Sequence, residues 1–272
     1  MGLPAGRAEA LRYTTQTPVN LFLLEPDEVD AQGAVVLSGP RAAHLLTVLR
    51  VEPGHDVRVG VLDGPRGTAR VESIKGDAIA LRCTLESDIP PRPDVDLLLA
   101  VPRPKVMRRL WAQIAALGAG RIILTNAAKV ERNYFDTHIL APETYRPLLI
   151  EGLQQARDTR LPVVSIHRQF KPLIEDQLDA LFGPGLRVAA DPSATTPLAD
   201  VVRAGDGQRI LLAIGPEGGW NAFEVALLAA HGFRSAGMGP RTLRTDTACV
   251  ALLALTRDAL ASRGISEFRG QI

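Results

Sequence analysis

The loop GPEGGW, residues 215–220, follows directly after the apolar run Ile210–Ile214 and decides how the rest of the sequence is interpreted. A second loop, GMGPRTLRTDTA (residues 237–248), lies directly before a long apolar helix pattern. Glycine permits close approach of a backbone to a ligand, and the start of a helix adds unpaired N–H groups and a partial positive charge. Two such loops, each between a strand and a helix, therefore indicate backbone amides gathered around one small polar ligand.

Strand and helix patterns alternate on both sides of these loops. The predicted strands after residue 94 are Val95–Val101, Ile122–Leu124, Val163–Ile166, Val188–Ala190 and Ile210–Ile214. The predicted helices are Pro104–Leu117, Glu143–Arg157, Lys171–Leu181, Ala222–Ala230 and Thr245–Ser262. Apolar strands between helices predict an α/β fold with a parallel sheet covered on both faces. Ligands bind such sheets outside the carboxyl ends of the strands, which is where both loops lie.

The first third of the chain has a different pattern, with short alternating runs separated by turns. The predicted strands are Leu21–Leu24, Ala34–Leu37, Asp56–Val61, Thr68–Ser73 and Ile79–Cys83, and Arg41–Leu49 is a short helix. This pattern predicts a small β-barrel, and the proline-rich run Ile89–Pro93 predicts a stiff linker after it. We therefore expect a disordered extension at 1–18, a β-barrel domain at 19–89 and an α/β domain at 90–272.

Composition excludes several classes of protein. The chain is 46% hydrophobic and 22% charged, so it can bury a sizeable core, but no apolar stretch reaches the roughly 18 residues that a membrane span needs. The N-terminus has no apolar signal core, and we expect a cytoplasmic protein. Two cysteines, Cys83 and Cys249, predict buried free thiols rather than a disulfide framework. The five histidines show no metal-ligand spacing, and no nucleophile elbow is present.

The charge pattern is compatible with an RNA partner without requiring one. The net charge is +1, yet the chain has 27 arginines and only 4 lysines. Arginine suits bidentate phosphate contacts, although a GC-rich genome explains the same bias. Aromatic residues make up 4% of the chain, too few for a base-stacking platform. An RNA partner would therefore be held mainly through phosphate contacts and shape.

In order and spacing, the two loops resemble those of the bacterial small-subunit (16S) rRNA uridine-N3 methyltransferases, a family of the SPOUT superfamily. The run AHLLTVLRVEPG (residues 43–54) is similar to the N-terminal hallmark of that family, and Ile114–Leu124 is similar to its first helix–strand unit. The resemblance covers roughly Asn20 to Arg263. It implies a SPOUT trefoil-knotted parallel-sheet domain with a small N-terminal PUA-like β-barrel. It also implies a homodimer that methylates rRNA in the assembled small subunit.

The resemblance implies S-adenosylmethionine as the methyl donor and identifies the residues that would hold it. The expected donor-binding residues are Ala190, Asp191, Gly215, Pro216, Glu217, Gly218, Gly219, Met238, Gly239 and Leu243. Apolar Met238 and Leu243 suit an adenine slot, while N–H groups and arginine attract a carboxylate. Each glycine could instead serve a tight turn, and Glu217 could instead cap the helix that begins near Asn221.

Three residues of the second loop are candidates for the chemical step: Arg241, Arg244 and Asp246. Uracil N3 must lose a proton, and an ordinary aspartate, with a pKa of about 3.9, is a poor base for that at neutral pH. An arginine that stabilises the developing anion should contribute more, so we rank Arg244 and Arg241 above Asp246. The family usually has Glu at this position, and Asp246 could instead serve the start of the last helix.

A second set of residues is expected to bind RNA: His44, Arg50, Arg103, Lys105, Arg108, Arg109, Arg132 and Gln155. The cluster at 103–109 opens a helix without any acidic residue, which indicates a phosphate patch; the alternative is a solvated helix face. His44 could equally serve the fold. Gln155 matches a family motif, whereas Asp158 stands where the family has Arg.

Two other functions remain open from the sequence. One is a SPOUT ribose 2′-O-methyltransferase acting on tRNA or rRNA, against which the predicted N-terminal barrel argues. The other is an RNA-binding homologue with weakened catalysis, suggested by the departures at Asp246 and Asp158. Mapping the methylated nucleotide distinguishes a ribose 2′-O-methyltransferase from a uridine-N3 methyltransferase. Retained donor binding would count against an RNA-binding homologue with weakened catalysis.

Overall fold

The computed structural model describes residues 21–206 and 209–269, with side chains of the last helix described as far as residue 263. The predicted disordered extension at 1–18 lies outside the described residues. Two β-sheets make up the framework, and residues 86–94 connect them without a helix or strand. No helix in the described part of the chain is long and apolar enough to cross a membrane.

The N-terminal sheet has five strands in the order β1-β3-β4-β5-β2. Its elements are β1 (Phe22–Leu24), β2 (Ala34–Leu37), α1 (Gly39–Thr47), β3 (Asp56–Val61), β4 (Arg66–Lys75) and β5 (Ala78–Leu85). Strands β1 and β3 are parallel and the other pairs are antiparallel. Alternating side chains such as Val57, Val59 and Leu81 fill one core under the sheet. Within the described residues the sheet is an open half-barrel rather than the closed barrel that the sequence predicts.

The second sheet has six parallel strands in the order β11-β9-β10-β6-β7-β8. They are β6 (Val95–Ala100), β7 (Ala119–Thr125), β8 (Val163–His167), β9 (Leu186–Ala190), β10 (Ile210–Ile214) and β11 (Phe233–Ala236). The central strands β6 and β10 are buried along their whole length. β10 is apolar throughout and β6 is apolar apart from Asp96, as expected for strands buried on both faces, so the predicted parallel sheet is confirmed.

Helices cover both faces of this sheet. They are α2 (Pro104–Ala116), α3 (Pro142–Ala156), α4 (Phe170–Pro172), α5 (Leu178–Phe182), α6 (Leu198–Arg203), α7 (Ala222–Ala230) and α8 (Thr245–Arg269). Alternate residues of β6 point to opposite faces. Leu97 and Leu99 pack in the core that contains Trp111 of α2, whereas Leu98 packs in the core that contains Phe170 of α4.

The two sheets are joined by a packed interface rather than by the linker alone. Leu21 and Leu23 lie in the core of the parallel sheet, while the intervening Phe22 lies in the core of the N-terminal sheet. Arg146 of α3 donates two hydrogen bonds to the Glu25 carboxylate, at 2.6 and 2.7 Å. These bonds hold the pKa of Glu25 below its ordinary value against the opposing effect of burial. The N-terminal sheet is therefore fixed against α3.

Both cysteines are buried free thiols, as the sequence predicts. Cys83 lies in β5 and Cys249 in α8. Burial raises the pKa of Cys249 to about 12, so its thiol stays protonated at neutral pH. No group of three or more His, Cys, Asp or Glu side chains that could hold a metal ion occurs within the described residues.

Candidate functional site

A single cavity forms where three neighbouring strands of the parallel sheet end. Strands β9, β10 and β11 end at Ala190, Ile214 and Ala236, and the segment that follows each strand lines the cavity. Its empty volume is about 680 Å³, part of which is open to solvent. Because the carboxyl ends of parallel strands meet at one edge of the sheet, the two glycine loops are brought together as the sequence predicts.

Nine of the ten predicted donor-binding residues line this cavity: Ala190, Asp191, Gly215, Pro216, Glu217, Gly219, Met238, Gly239 and Leu243. Apolar side chains that the prediction did not include complete the wall, among them Ile214 and Leu252. Asp191 lies at the polar side, where its carboxylate accepts hydrogen bonds from the N–H and the hydroxyl of Ser193. The cavity therefore combines an apolar slot with polar backbone and charged groups at its edge.

Backbone contacts fix the loop after β11 against the segment after β9. The Gly237 N–H donates to the Thr196 carbonyl at 3.0 Å, and the Leu198 N–H donates to the Gly237 carbonyl at 2.8 Å. A Cβ on Gly237 would lie 2.7 Å from the Ala194 carbonyl oxygen, so a side chain at this position would force the two segments apart. Glycine is required here for close backbone approach, and one wall of the cavity depends on it.

Gly218 is the predicted donor-binding residue that does not line the cavity. A Cβ at this position would lie 2.7 Å from Cδ of Lys129, and its three nearest heavy atoms all belong to that lysine. The Lys129 ammonium donates a hydrogen bond to the Gly218 carbonyl oxygen at 2.5 Å. The structure thus places Gly218 against the loop that follows β7, and not against the space that a ligand would fill.

The helix after the first glycine loop is capped by Asn221 and Glu224, not by Glu217. The Asn221 side chain accepts from the Glu224 N–H, and the Glu224 carboxylate accepts from the Asn221 N–H, both at 2.8 Å. This reciprocal arrangement is a capping box, whose Asn-x-x-Glu spacing was readable from the sequence. Glu217 instead lines the cavity and forms an ion pair with Arg103 at 3.3 Å. The capping alternative for Glu217 is therefore wrong.

The three candidates for the chemical step occupy different positions. Arg241 lines the cavity, whereas Arg244 is exposed and lies outside the lining. Asp246, in the first turn of α8, accepts a hydrogen bond from Arg109 at 2.6 Å and another from the Thr247 N–H at 3.0 Å. The hydrogen bond from Arg109 holds the pKa of Asp246 below its ordinary value. Asp246 is thus engaged on both oxygens, and only Thr245 beside it lines the cavity.

The predicted phosphate patch lies at the rim of the cavity. Lys105, Arg108 and Arg109 are exposed on one face of α2, since residues three and four apart are neighbours on a helix. Within the described residues, Lys105 and Arg108 take part in none of the ion pairs, whereas Arg103 and Arg109 pair with Glu217 and Asp246. The two pairs connect the N-terminal part of α2 to Glu217 in the first glycine loop and to Asp246 near the end of the second. The cluster is therefore a cationic surface next to the cavity.

The other predicted RNA-binding residues lie outside the cavity lining. His44 and Arg50 are exposed in and just after α1, on the N-terminal half-barrel. Arg132 is exposed at the start of a 3₁₀ segment, Arg132–Asp136, and Gln155 is exposed near the end of α3. These positions leave all four free to meet a large partner such as RNA.

Asp158, the departure from the family motif, has a structural role. Its carboxylate accepts from the N–H groups of Thr159 and Arg160, at 2.7 and 3.1 Å, and so forms a turn after α3. This turn directs the Thr159 hydroxyl onto the Gly64 carbonyl at 2.7 Å and the Arg160 side chain onto the Pro90 carbonyl at 2.5 Å. Asp158 therefore stabilises the junction between the N-terminal sheet and the parallel-sheet domain.

Comparison with known proteins identifies the family. The sequence profile of the RNA methyltransferase domain family matches residues 90–257. Ribosomal RNA small subunit methyltransferase E of Treponema pallidum (strain Nichols) is 31% identical over 241 residues, covering 87% of this chain and 90% of that protein. The protein of the same name from Mycobacterium tuberculosis (strain CDC 1551 / Oshkosh) is 27% identical, over 85% of this chain and 89% of that protein. The chain therefore belongs to the RNA methyltransferase family that these relatives represent.

A solved structure shares the fold over nearly the whole chain. The crystal structure of a ribosomal RNA small subunit methyltransferase E from Neisseria gonorrhoeae, bound to S-adenosyl methionine, superposes with a TM-score of 0.71. It is 20% identical and covers 88% of this chain and 97% of that chain. The predicted resemblance to rRNA methyltransferases is thus confirmed at the level of family and fold.

Proposed function

We propose that the protein transfers the methyl group of S-adenosylmethionine to N3 of a specific uridine in small-subunit rRNA. The observation that carries this proposal is the cavity at the ends of β9, β10 and β11, with the cationic face of α2 at its rim. A donor site and a phosphate-binding surface are the two parts that an RNA methyltransferase needs, and membership of the RNA methyltransferase family supports both.

The residues that line the cavity fit S-adenosylmethionine. Its adenine needs an apolar slot, which Met238, Leu243 and Leu252 provide. Its amino acid portion carries both charges, and Arg241 and Asp191 offer groups of opposite sign at the edge. Gly219 and Gly239 have φ values of +69° and +107°. Glycine adopts such conformations without strain, so the loops expose backbone amides where a side chain would otherwise stand.

In the proposed reaction, S-adenosylmethionine supplies an electrophilic methyl group, and the chain's own residues prepare the uracil. The N3 proton passes to solvent water, and negative charge then develops on the uracil ring. Arg241 lines the cavity and can place a guanidinium beside this charge, with Arg244 in the same loop. Asp246 is engaged by Arg109, so we assign it an orienting role and not that of the base.

RNA would meet the surface formed by α2 and the N-terminal half-barrel. Lys105 and Arg108 are available for phosphates, and Arg103 and Arg109 border the cavity. We assign the half-barrel to the PUA-like class of RNA-binding domains, which is supported by its five-stranded sheet and the exposed His44 and Arg50. Because the substrate is rRNA in the assembled small subunit, the protein would act in the cytoplasm.

A trefoil knot and a homodimer complete the proposal. The knot is inferred from the resemblance to the SPOUT superfamily, and backbone hydrogen bonds join the segments after β9 and β11. The resemblance implies a dimer, and Ala248, Leu252, Leu255 and Ala259 of α8 are the apolar candidates for its contact. Leu252 and Ala259 are buried in the core of the same chain, however, and Ala248 lines the cavity. Leu255, 41% exposed, is the one that remains available for a partner.

The test is methyl transfer from labelled S-adenosylmethionine to assembled small subunits and, in parallel, to naked rRNA. We expect transfer to assembled subunits at a higher rate than to naked rRNA. A protein that binds S-adenosylmethionine but methylates neither substrate would instead be a homologue with lost catalysis. Transfer to a ribose 2′-oxygen would identify the alternative SPOUT activity.

A further inference from the structure

Lys129 contacts the first glycine loop from outside the cavity. It lies in the segment after β7, and its ammonium donates a hydrogen bond to the Gly218 carbonyl oxygen at 2.5 Å. Its aliphatic chain covers Gly218, since Cδ, Cβ and Cε of Lys129 are the nearest atoms to the position of an added Cβ. Lys129 does not line the cavity. It therefore contacts the loop without being placed to contact the ligand.

A second contact fixes the backbone next to Lys129. The Ala128 N–H donates to Oε1 of Glu224 at 2.6 Å, and the other oxygen of this carboxylate accepts from the Asn221 N–H at 2.8 Å. Glu224 is only 3% exposed, so its carboxylate lies largely out of water. Residues 128–129 are thus bonded to both sides of Trp220: to Gly218 within the loop, and to the start of α7 directly after it.

We propose that Lys129 is a positioning residue that holds the Gly215–Trp220 loop in its ligand-binding conformation. This inference rests on the proposed function, because the ligand concerned is S-adenosylmethionine. The loop contains three glycines, which lose more backbone freedom than other residues when they become ordered. A charge-assisted hydrogen bond that orders the loop beforehand lowers the cost of binding.

The same geometry explains why residue 218 is glycine. Its φ lies outside the left-handed region, so the backbone itself would accept alanine. The space beside it is filled by the Lys129 side chain at 2.7 Å, closer than a real Cβ contact. Gly218→Ala should therefore displace Lys129 rather than enter the cavity. Once Lys129 is shortened to alanine, the close contact with Cδ is gone and the Cβ of residue 129, at 3.7 Å, is an ordinary contact.

The experiment is a double-mutant cycle on S-adenosylmethionine affinity, measured by calorimetry on the full chain. We expect Lys129→Ala and Gly218→Ala each to weaken binding by about threefold to fivefold, the effect of one charge-assisted hydrogen bond at an exposed site. The double variant should be no weaker than either single variant. Lys129→Arg should retain most of the affinity. Lys171→Ala, which removes an exposed lysine paired with Glu175, is the matched control and should bind normally.

Three outcomes would overturn the inference: unchanged affinity in Lys129→Ala, multiplicative effects in the double variant, or equal weakening in Lys171→Ala. Thermal unfolding of each variant identifies a loss of affinity that merely reflects loss of folding. A wild-type protein that fails to bind S-adenosylmethionine refutes the proposed function instead. In that case hydrogen exchange of the Gly219 amide, whose N–H donates to the Pro216 carbonyl at 2.8 Å, tests without a ligand whether Lys129 holds the loop. Faster exchange in Lys129→Ala is expected, and an unchanged rate contradicts the role of Lys129.

Discussion

Replacing Asp246 by asparagine tests whether this acid removes the N3 proton. In the structure one carboxylate oxygen accepts from Arg109 at 2.6 Å and the other accepts from the Thr247 N–H at 3.0 Å. The hydrogen bond from Arg109 lowers the pKa of Asp246, which makes its carboxylate a still weaker base than an ordinary aspartate. Asparagine keeps the size of the side chain and removes the charge, so the fold should be retained.

The expected size of the effect follows from the exposure of the pair. The Asp246 side chain is 19% exposed and that of Arg109 is 57% exposed. Ion pairs at such positions contribute about 0–1 kcal/mol, so Asp246→Asn should slow the chemical step by at most about fivefold. Removing a positioned donor that stabilises developing charge typically costs about 10²–10³ in rate. We therefore expect Arg241→Ala and Arg244→Ala to be much slower than Asp246→Asn.

The assay is single-turnover methyl transfer at saturating RNA and donor, across a range of pH, with thermal unfolding as the control for folding. The account predicts that Asp246→Asn keeps the pH profile of the wild type. The reasoning is refuted if Asp246→Asn is the slowest of the three variants while equally folded, and its pH profile loses the basic limb. Asp246 would then be the base.

The remaining predictions concern RNA binding, domain stability and assembly. Neutralising Lys105 and Arg108 by glutamine should lower the log–log salt slope of RNA binding by about two units without changing donor affinity; an unaltered slope would identify a solvated face. Arg146→Met should destabilise the folded protein by about 1–3 kcal/mol, because Glu25 loses two hydrogen bonds at a partly buried position, and denaturant unfolding measures this. Because the pKa of folded Glu25 is lowered, its contribution is full above the unfolded value of about 4.3 and is lost as pH falls through the folded value. In Arg146→Met the free energy of unfolding should therefore no longer fall over the pH range in which Glu25 takes up its proton. An unchanged pH dependence of that free energy would contradict the stabilising role of the Arg146–Glu25 pair. Light scattering should report a dimer at micromolar concentration, and a monomer would contradict the proposed homodimer.

The sequence predicts the parallel-sheet domain well because the secondary structure of its central elements follows from residues within each element. The bounds of β10 and α7 agree with the prediction at both ends, since an unbroken apolar run and a capped apolar helix each carry their own signal. Helix α6, Leu198–Arg203, has no clear signal in the sequence, because six residues are too few to show a helical period. The predicted helix Lys171–Leu181 is interrupted by a π-helical turn, Leu173–Gln177, which has no sequence signature of its own.

The sequence predicts where the backbone loops of the site lie, but it does not predict which side chains contact one another there. The position of the glycine loops follows from strand–helix alternation, which is a property of neighbouring residues. The contact between Lys129 and Gly218 joins residues 89 apart, and that between Arg109 and Asp246 joins residues 137 apart. Neither pair leaves a periodic pattern, so the sequence predicts a ligand contact for Gly218 and a phosphate contact for Arg109, and neither side-chain contact. Such contacts become visible only in the folded structure, where the segment after β7 meets the first glycine loop and α2 meets the start of α8.

The most direct test of the central claim is to map the nucleotide that the protein modifies. Small subunits lacking this methylation would be incubated with the protein and S-adenosylmethionine, and their rRNA digested to nucleosides and fragments for mass spectrometry. The account predicts one uridine carrying the methyl group on N3 of its base, absent when donor or protein is omitted. A methyl group on a ribose 2′-oxygen, or on a base other than uracil, would contradict the account.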